Sequence, residues 1–145
     1  HGVSASEGAA RIAASLDNGT ALERFQRMVA AQGGDLSALP EHQGETPVLA
    51  EADGFVADIN GLEVGLCGVA LGAGRTRSDQ AVDPIVGVRI DARRGAEVRQ
   101  GDALATVLHG SGGAPSEEIV RRLLRAFEVT PEPPESMPLI LERID

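Results

Sequence analysis

The chain has 145 residues, a formal net charge of −9 and 42% hydrophobic residues. That length supports one moderate core or two small units, and the acidic balance argues against a nucleic-acid-binding surface. All 13 basic residues are arginine, which excludes any activity that fixes a cofactor covalently to a lysine of this chain. With three phenylalanines as its whole aromatic content, the chain also lacks stacking platforms for single-stranded bases. No apolar run approaches the ~20 residues of a membrane span, and no basic-plus-apolar leader opens the sequence. A cytoplasmic protein without membrane contact is expected. The one cysteine, Cys67, sits in an apolar stretch and reads as a small buried hydrophobe in a reducing compartment.

Residues 4–16 predict a helix. Ser4 or Ser6 can cap it, Glu7 suits its first turn, and Ala10, Ala13 and Ala14 favour the conformation. Asp17, Asn18 and Gly19 read as a turn. Thr20 and Glu23 have capping-box spacing, with Asp17 as an alternative cap. Leu22, Phe25, Met28 and Val29 then share one helical face, and Gly33-Gly34 ends the element. That stripe has to pack against something, because two helices this short cannot bury it alone. Residues 35–46 are polar and hold Pro40 and Gly44; they read as a linker. His42 lies there, with no second metal-type ligand at suitable spacing.

From Val48 the pattern changes. Val48, Leu49 and Ala50 read as a strand, Asp53-Gly54 as a turn, and residues 55–59 as the partner strand. Asn60 with Glu63 can open a helix through Leu62, Val64, Leu66, Val69 and Leu71. Gly61, Gly65 and Gly68 weaken its propensity and are expected to permit close packing on a sheet. Gly72 and Gly74 fall where that helix should end, in the left-handed geometry of a C-cap. The loop beyond them carries Arg75, Arg77 and Asp79. It is not a phosphate cradle of the usual order, in which the glycines precede a helix and the anion meets the helix N-terminus. The loop reads first as a structural cap and connector; Arg75 and Arg77 are the weaker candidates for bordering a substrate cleft, and neither is assigned as catalytic. Asp83-Pro84 biases the chain to extended geometry, and Ile85, Val86, Val88 and Ile90 predict a buried strand.

Residues 93–110 read as turn, short strand, turn, longer strand, punctuated by Gly95 and Gly101. Leu104, Thr106 and Leu108 alternate there with Ala105, Val107 and His109. The pattern resembles the hammerhead hairpin of barrel-sandwich modules such as biotinyl and lipoyl carriers, without the lysine those carriers modify. His109 reads as a structural or edge histidine. Pro115, Ser116, Glu117 and Glu118 start a helix with Ile119, Leu123, Leu124 and Phe127 inward. Arg121, Arg122 and Arg125 form its wet face. Residues 130–138 hold four prolines and are extended; Leu139, Ile140 and Leu141 are expected to end the chain as an edge strand or docked tail.

Four stretches, ALERFQRMVAAQGGD, ADGFVADIN, VALGAGRTRSDQAVDPIVGV and RRGAEVRQGDALATVLH, together resemble the C-terminal portion of the thymidine/pyrimidine-nucleoside phosphorylases. The resemblance implies an α+β fold. Residues 1–34 would be a helical tail of the catalytic domain, 35–46 a linker, and 47–145 a C-terminal α/β-hammerhead, barrel-sandwich-like domain. It implies homodimeric parent enzymes that use phosphate as co-substrate, need no further cofactor or metal, and convert a pyrimidine (deoxy)nucleoside to free base and (deoxy)ribose 1-phosphate. It places the phosphate- and base-binding residues upstream of the matched region, in the N-terminal catalytic portion. No catalytic residue is then expected in this chain. A stand-alone binding or scaffold module, and the same domain from a nucleoside-monophosphate phosphorylase, stay open as alternatives.

Overall fold

The computed structural model describes residues 2–75, 77–110, 112–138, 140 and 142. The chain divides into two compact units, His1–Leu39 and Pro40–Asp145. The first is a helical pair, α1 (Ala5–Asp17) and α2 (Thr20–Ala31), followed by a single 3-10 turn, Leu36–Ala38. Ser4 caps α1 by accepting the Glu7 N–H. At α2 neither expected cap is used. Gly19 occupies the N-cap, and the Asn18 side-chain oxygen accepts both the N–H and the hydroxyl of Thr20. A threonine one position inside the helix cannot cap it, because its oxygen no longer faces the free N–H groups. The Gly34 N–H closes α2 on the Val29 carbonyl at 2.9 Å. Among the described residues of this unit, no side chain is buried.

The second unit is α+β. Strands β1 (Gly44–Leu49), β5 (Ala103–His109) and β3 (Gly87–Ile90) form one antiparallel sheet in the order β1-β5-β3. Strands β4 (Glu97–Val98), β2 (Gly54–Ile59) and β6 (Phe127–Thr130) form a second, ordered β4-β2-β6. Helices α3 (Gly61–Gly68) and α4 (Glu117–Arg125) pack on a core shared by both sheets. Val48, Val56, Cys67, Leu104, Val107 and Leu123 are its largest fully buried side chains.

Several expectations are corrected here. The first strand starts at Gly44, inside the stretch read as linker, because β5 offers it hydrogen-bond partners as far as His109. It does not pair with β2; the two lie in different sheets. Likewise β4 and β5 are not partners in a hairpin: β4 pairs with β2 and β5 with β1 and β3. The expected strand from Ile85 is hydrogen-bonded only from Gly87. Helix α4 stops at Arg125, and Phe127 opens β6, a strand absent from the sequence reading. Phe127 satisfies both a helical and a two-residue period, so its burial alone did not discriminate. Gly61, Gly65 and Gly68 are not close-packed, since a methyl group at any of them would meet open space. Of the expected tail, Leu139 and Leu141 lie outside the described residues, and Ile140 is exposed and not in a strand.

Strand β5 is central in its sheet, and four successive residues, Leu104 to Val107, are buried. The alternation read from sequence therefore does not mark one wet face. Thr106 is the buried polar residue of the run. Its hydroxyl donates to Asp91 and accepts from Arg89, which removes the cost of burying it unpaired. Arg89 also donates to Asp91 at 2.8 Å and to both oxygens of Glu45 at 3.2 and 3.4 Å. One guanidinium thus spans all three strands.

Hydrogen bonds from Arg89, helped by His42, hold the Glu45 carboxyl below its ordinary value. Burial pushes Asp91 up, but the Thr106 hydroxyl and Arg89 leave it lowered on balance. Depressed carboxylates contribute stability above their unfolded value, about pH 4, and lose it as pH falls through the lower folded values. Thermal melts of the wild-type chain and Arg89→Met between pH 6 and pH 2.5 are expected to show a gap that narrows below about pH 4. A gap constant across that range would count against this coupling.

Candidate functional site

One end of the second unit gathers two glycine-containing loops. The first begins where the α3 region ends. Residues Val69–Ala73 widen into a π-type turn that Gly72 breaks at φ 106°, a backbone angle disfavoured for any residue with a Cβ. Gly74 is instead extended at φ −142°, so only the first of the two glycines takes the expected left-handed form. A Cβ at Gly74 would sit 2.8 Å from a Val69 methyl, and close approach is what that position requires.

Asp83 shuts the base of this loop. Its N–H donates to the Gly72 carbonyl at 2.9 Å, and its carboxylate accepts the Ile85 N–H at 3.1 Å. The described residues between Gly72 and Asp83 therefore belong to a surface excursion whose two ends meet. Within it Arg77 donates twice to Asp79, at 3.1 and 2.7 Å, with both side chains largely in water. Arg75 reaches the Ser78 carbonyl at 3.4 Å and is exposed. The two candidate arginines share this loop, Arg75 donating to the Ser78 carbonyl and Arg77 to the Asp79 carboxylate. Exposed pairs of the Arg77–Asp79 kind are weak, so Arg77 remains available to a stronger anion.

The second loop follows β5. Gly110 lies against Ile85 and Asp83, leaving no room for a Cβ. The backbone then reaches Ser116, whose hydroxyl caps α4 by accepting the Ile119 N–H. Between the residues that flank the first loop and the second loop is a cavity of about 220 Å³ lined by Leu71, Asp83, Val86, His109, Ser116 and Ile119, among others; Arg75 and Arg77 are not among its lining residues. His109 has its ring against Gly44 and its Nε2 3.3 Å from the Thr46 hydroxyl. His109 thus packs at the end of the central strand β5 against its partner Gly44 on β1, at the rim of this cavity. Nothing in the sequence reading joined the segment after β5 to Asp83 and Val86, which stand more than twenty positions earlier in the chain.

Other singled-out residues lie elsewhere. Cys67 is fully buried, and burial pushes its thiol up, against a smaller opposing pull from Arg122. A protonated, inaccessible thiol is a poor nucleophile. His42 pairs with Glu45 at 2.9 Å. Arg122, expected on the wet face of α4, donates to Glu63 on α3 at 2.7 Å and ties the two helices together. Arg121 keeps to its own helix, 3.7 Å from Glu117. Among the described residues no group of three or more His, Cys, Asp or Glu could hold a metal ion, and no helix is long and apolar enough to cross a membrane.

Residues 55–130 match the model of the pyrimidine nucleoside phosphorylase C-terminal domain. Among curated proteins, the chain is 41% identical over 137 residues to a thymidine phosphorylase of Mycobacterium tuberculosis, covering 91% of this chain and 31% of that protein. It is 37% identical over 145 residues to a thymidine phosphorylase of Mesorhizobium japonicum, covering 95% and 33%. The corresponding protein of Sinorhizobium medicae is 35% identical over 152 residues, covering 99% and 34%. The chain thus spans about a third of the length of the curated relatives it matches.

Proposed function

The chain belongs to the pyrimidine nucleoside phosphorylase C-terminal domain family, and from that premise we propose that it is the non-catalytic closing portion of a longer phosphorolytic enzyme. The enzyme would transfer the sugar of a pyrimidine (deoxy)nucleoside to phosphate, with an N-terminal catalytic portion in the same polypeptide. It would act as a cytoplasmic homodimer without a further cofactor. The observation that carries this reading is the match over residues 55–130 within a chain that spans about a third of thymidine phosphorylases.

The chemistry supports the division of labour. Phosphorolysis needs phosphate held against the anomeric carbon while negative charge develops on the departing base. Preorganised donors supply most of that rate. The described arginines are either engaged with carboxylates and carbonyls or spread over the surface, and the chain has no lysine. Such a domain can border and dry a cleft. The purified 145-residue chain is expected to give no phosphorolysis of thymidine or uridine with phosphate, and the longer polypeptide to give it readily. Turnover by the chain, free of host enzyme, would overturn the assignment.

Within that enzyme the loop of residues 73–82 is the part assigned to the cleft border, with Arg75 and Arg77 on it. Arg75→Ala in the longer polypeptide is expected to lower kcat/KM by about tenfold at most, or ~1.4 kcal/mol, with an unchanged melting temperature. A lowered melting temperature with unaltered kinetics would make Arg75 a structural residue only.

A further inference from the structure

Helix α4 carries three arginines in different situations. Arg122 is engaged with Glu63 at 2.7 Å. Arg121 reaches only Glu117, one turn back, its carbonyl at 3.3 Å and its carboxylate at 3.7 Å. Arg125 has no hydrogen-bond or ion-pair partner among the described residues, although the chain has 22 acidic residues. Arg121 and Arg125 also stand one turn apart, where like charges weaken a helix. Both border a cavity of about 470 Å³, inside the range of about 300–1,000 Å³ usual for small-molecule sites. Its inner wall is apolar. Leu104 of β5 and Phe127 of β6 are 1% and 8% exposed, and Leu124 and Val129 lie half-buried beside them. Glu51, in the turn after β1, adds one carboxylate to the lining. An apolar recess with a few charged groups at its rim is the arrangement that small-molecule sites share.

We propose that this cavity is a binding site for a small monocarboxylate with a compact apolar body. The inner wall takes the body, and the arginines take the carboxylate, which a guanidinium meets with two parallel hydrogen bonds. An anion between Arg121 and Arg125 also relieves their mutual repulsion. Glu51 argues against a phosphate monoester, which carries nearly two negative charges at neutral pH and would face that carboxylate. The site does not rest on the phosphorolytic reading: it lies wholly within the Pro40–Asp145 unit and includes neither Arg75 nor Arg77.

Titration of the 145-residue chain with octanoate, followed by amide NMR shifts, tests this. Octanoate should shift the amides of residues 51–52 and 124–129 saturably. Octanol has the body without the charge, and inorganic phosphate the charge without the body; each is expected to bind about tenfold or more weakly. Arg121→Gln with Arg125→Gln should weaken octanoate by about tenfold or more. Both side chains are exposed, so the variant should fold, and unchanged β3 amide shifts check that it does. Equal affinity for octanoate and octanol overturns the proposal, as does a double variant that binds octanoate like the wild type. Shifts confined to α1 and α2 do the same, because the amphiphile would then be coating exposed apolar residues there. Equilibrium dialysis of labelled octanoate against the longer polypeptide completes the test. Binding that the same double variant loses supports the site. Binding by the 145-residue chain alone overturns it, because the cavity would then be covered in the longer protein.

Discussion

Leu123→Ala is expected to lower the unfolding free energy of the Pro40–Asp145 unit by ~2–5 kcal/mol. Leu123 is fully buried on α4 and packs in the core that both sheets and α3 share. The cost combines lost transfer energy with the cavity left behind, and the surroundings here relax poorly. The core includes four β-branched valines, Val48, Val56, Val98 and Val107, on strands whose register is set by ladder hydrogen bonds, and these have few alternative rotamers. Urea unfolding followed by circular dichroism measures it. Leu62→Ala is the control, since Leu62 is 72% exposed on the neighbouring α3 and should move stability by no more than about 0.5 kcal/mol. Equal effects at the two positions would mean that α4 is not docked as described.

Gly54→Ala is expected to cost ~1–3 kcal/mol, although it adds one methyl group. The added Cβ would lie 2.6 Å from the Thr130 carbonyl oxygen and 2.9 Å from a Val129 methyl. The nearer obstacle is backbone, which cannot swing aside as a side-chain end can. Relief requires β2 and β6 to separate at the Phe55–Thr130 end of their ladder. Faster exchange of the β6 amides, with β5 unaffected, is the signature. A variant as stable as the wild type, with the same exchange, would contradict the β2–β6 pairing. That strand was not foreseen in the sequence, so the experiment bears directly on the part of the fold that sequence reasoning missed.

The loop cluster shows how far local chemistry reached. The turn at Gly72, the caps at Ser4, Asn60 and Ser116, and the stop after α2 were all legible. The caps and the stop are hydrogen bonds closed within about five residues, and the turn at Gly72 is a single left-handed backbone angle. Arg75 and Arg77 were also placed correctly on an exposed loop. Their Arg77–Asp79 pairing and the double anchoring of the loop by Asp83 were not foreseen. Several residue types satisfy the same spacing, and only the fold decides which of them are near.

Sequence alone determined the elements that depend on neighbours along the chain: which segments are helical, where α1, α3 and α4 begin, which side chains are apolar enough to seek a core. It also carried the family resemblance and the absence of lysine. Tertiary structure decided which strands meet. Gly44 pairs with His109 and Glu45 with Leu108, more than sixty positions away, while the nearer β2 belongs to the other sheet. It likewise decided that Thr106 would be buried and that Arg122 would face Glu63. The physical reason is that ladder hydrogen bonds are nearly indifferent to side-chain identity. Strand partners are therefore selected by the fit of whole surfaces around a common core, a property no short window of sequence contains.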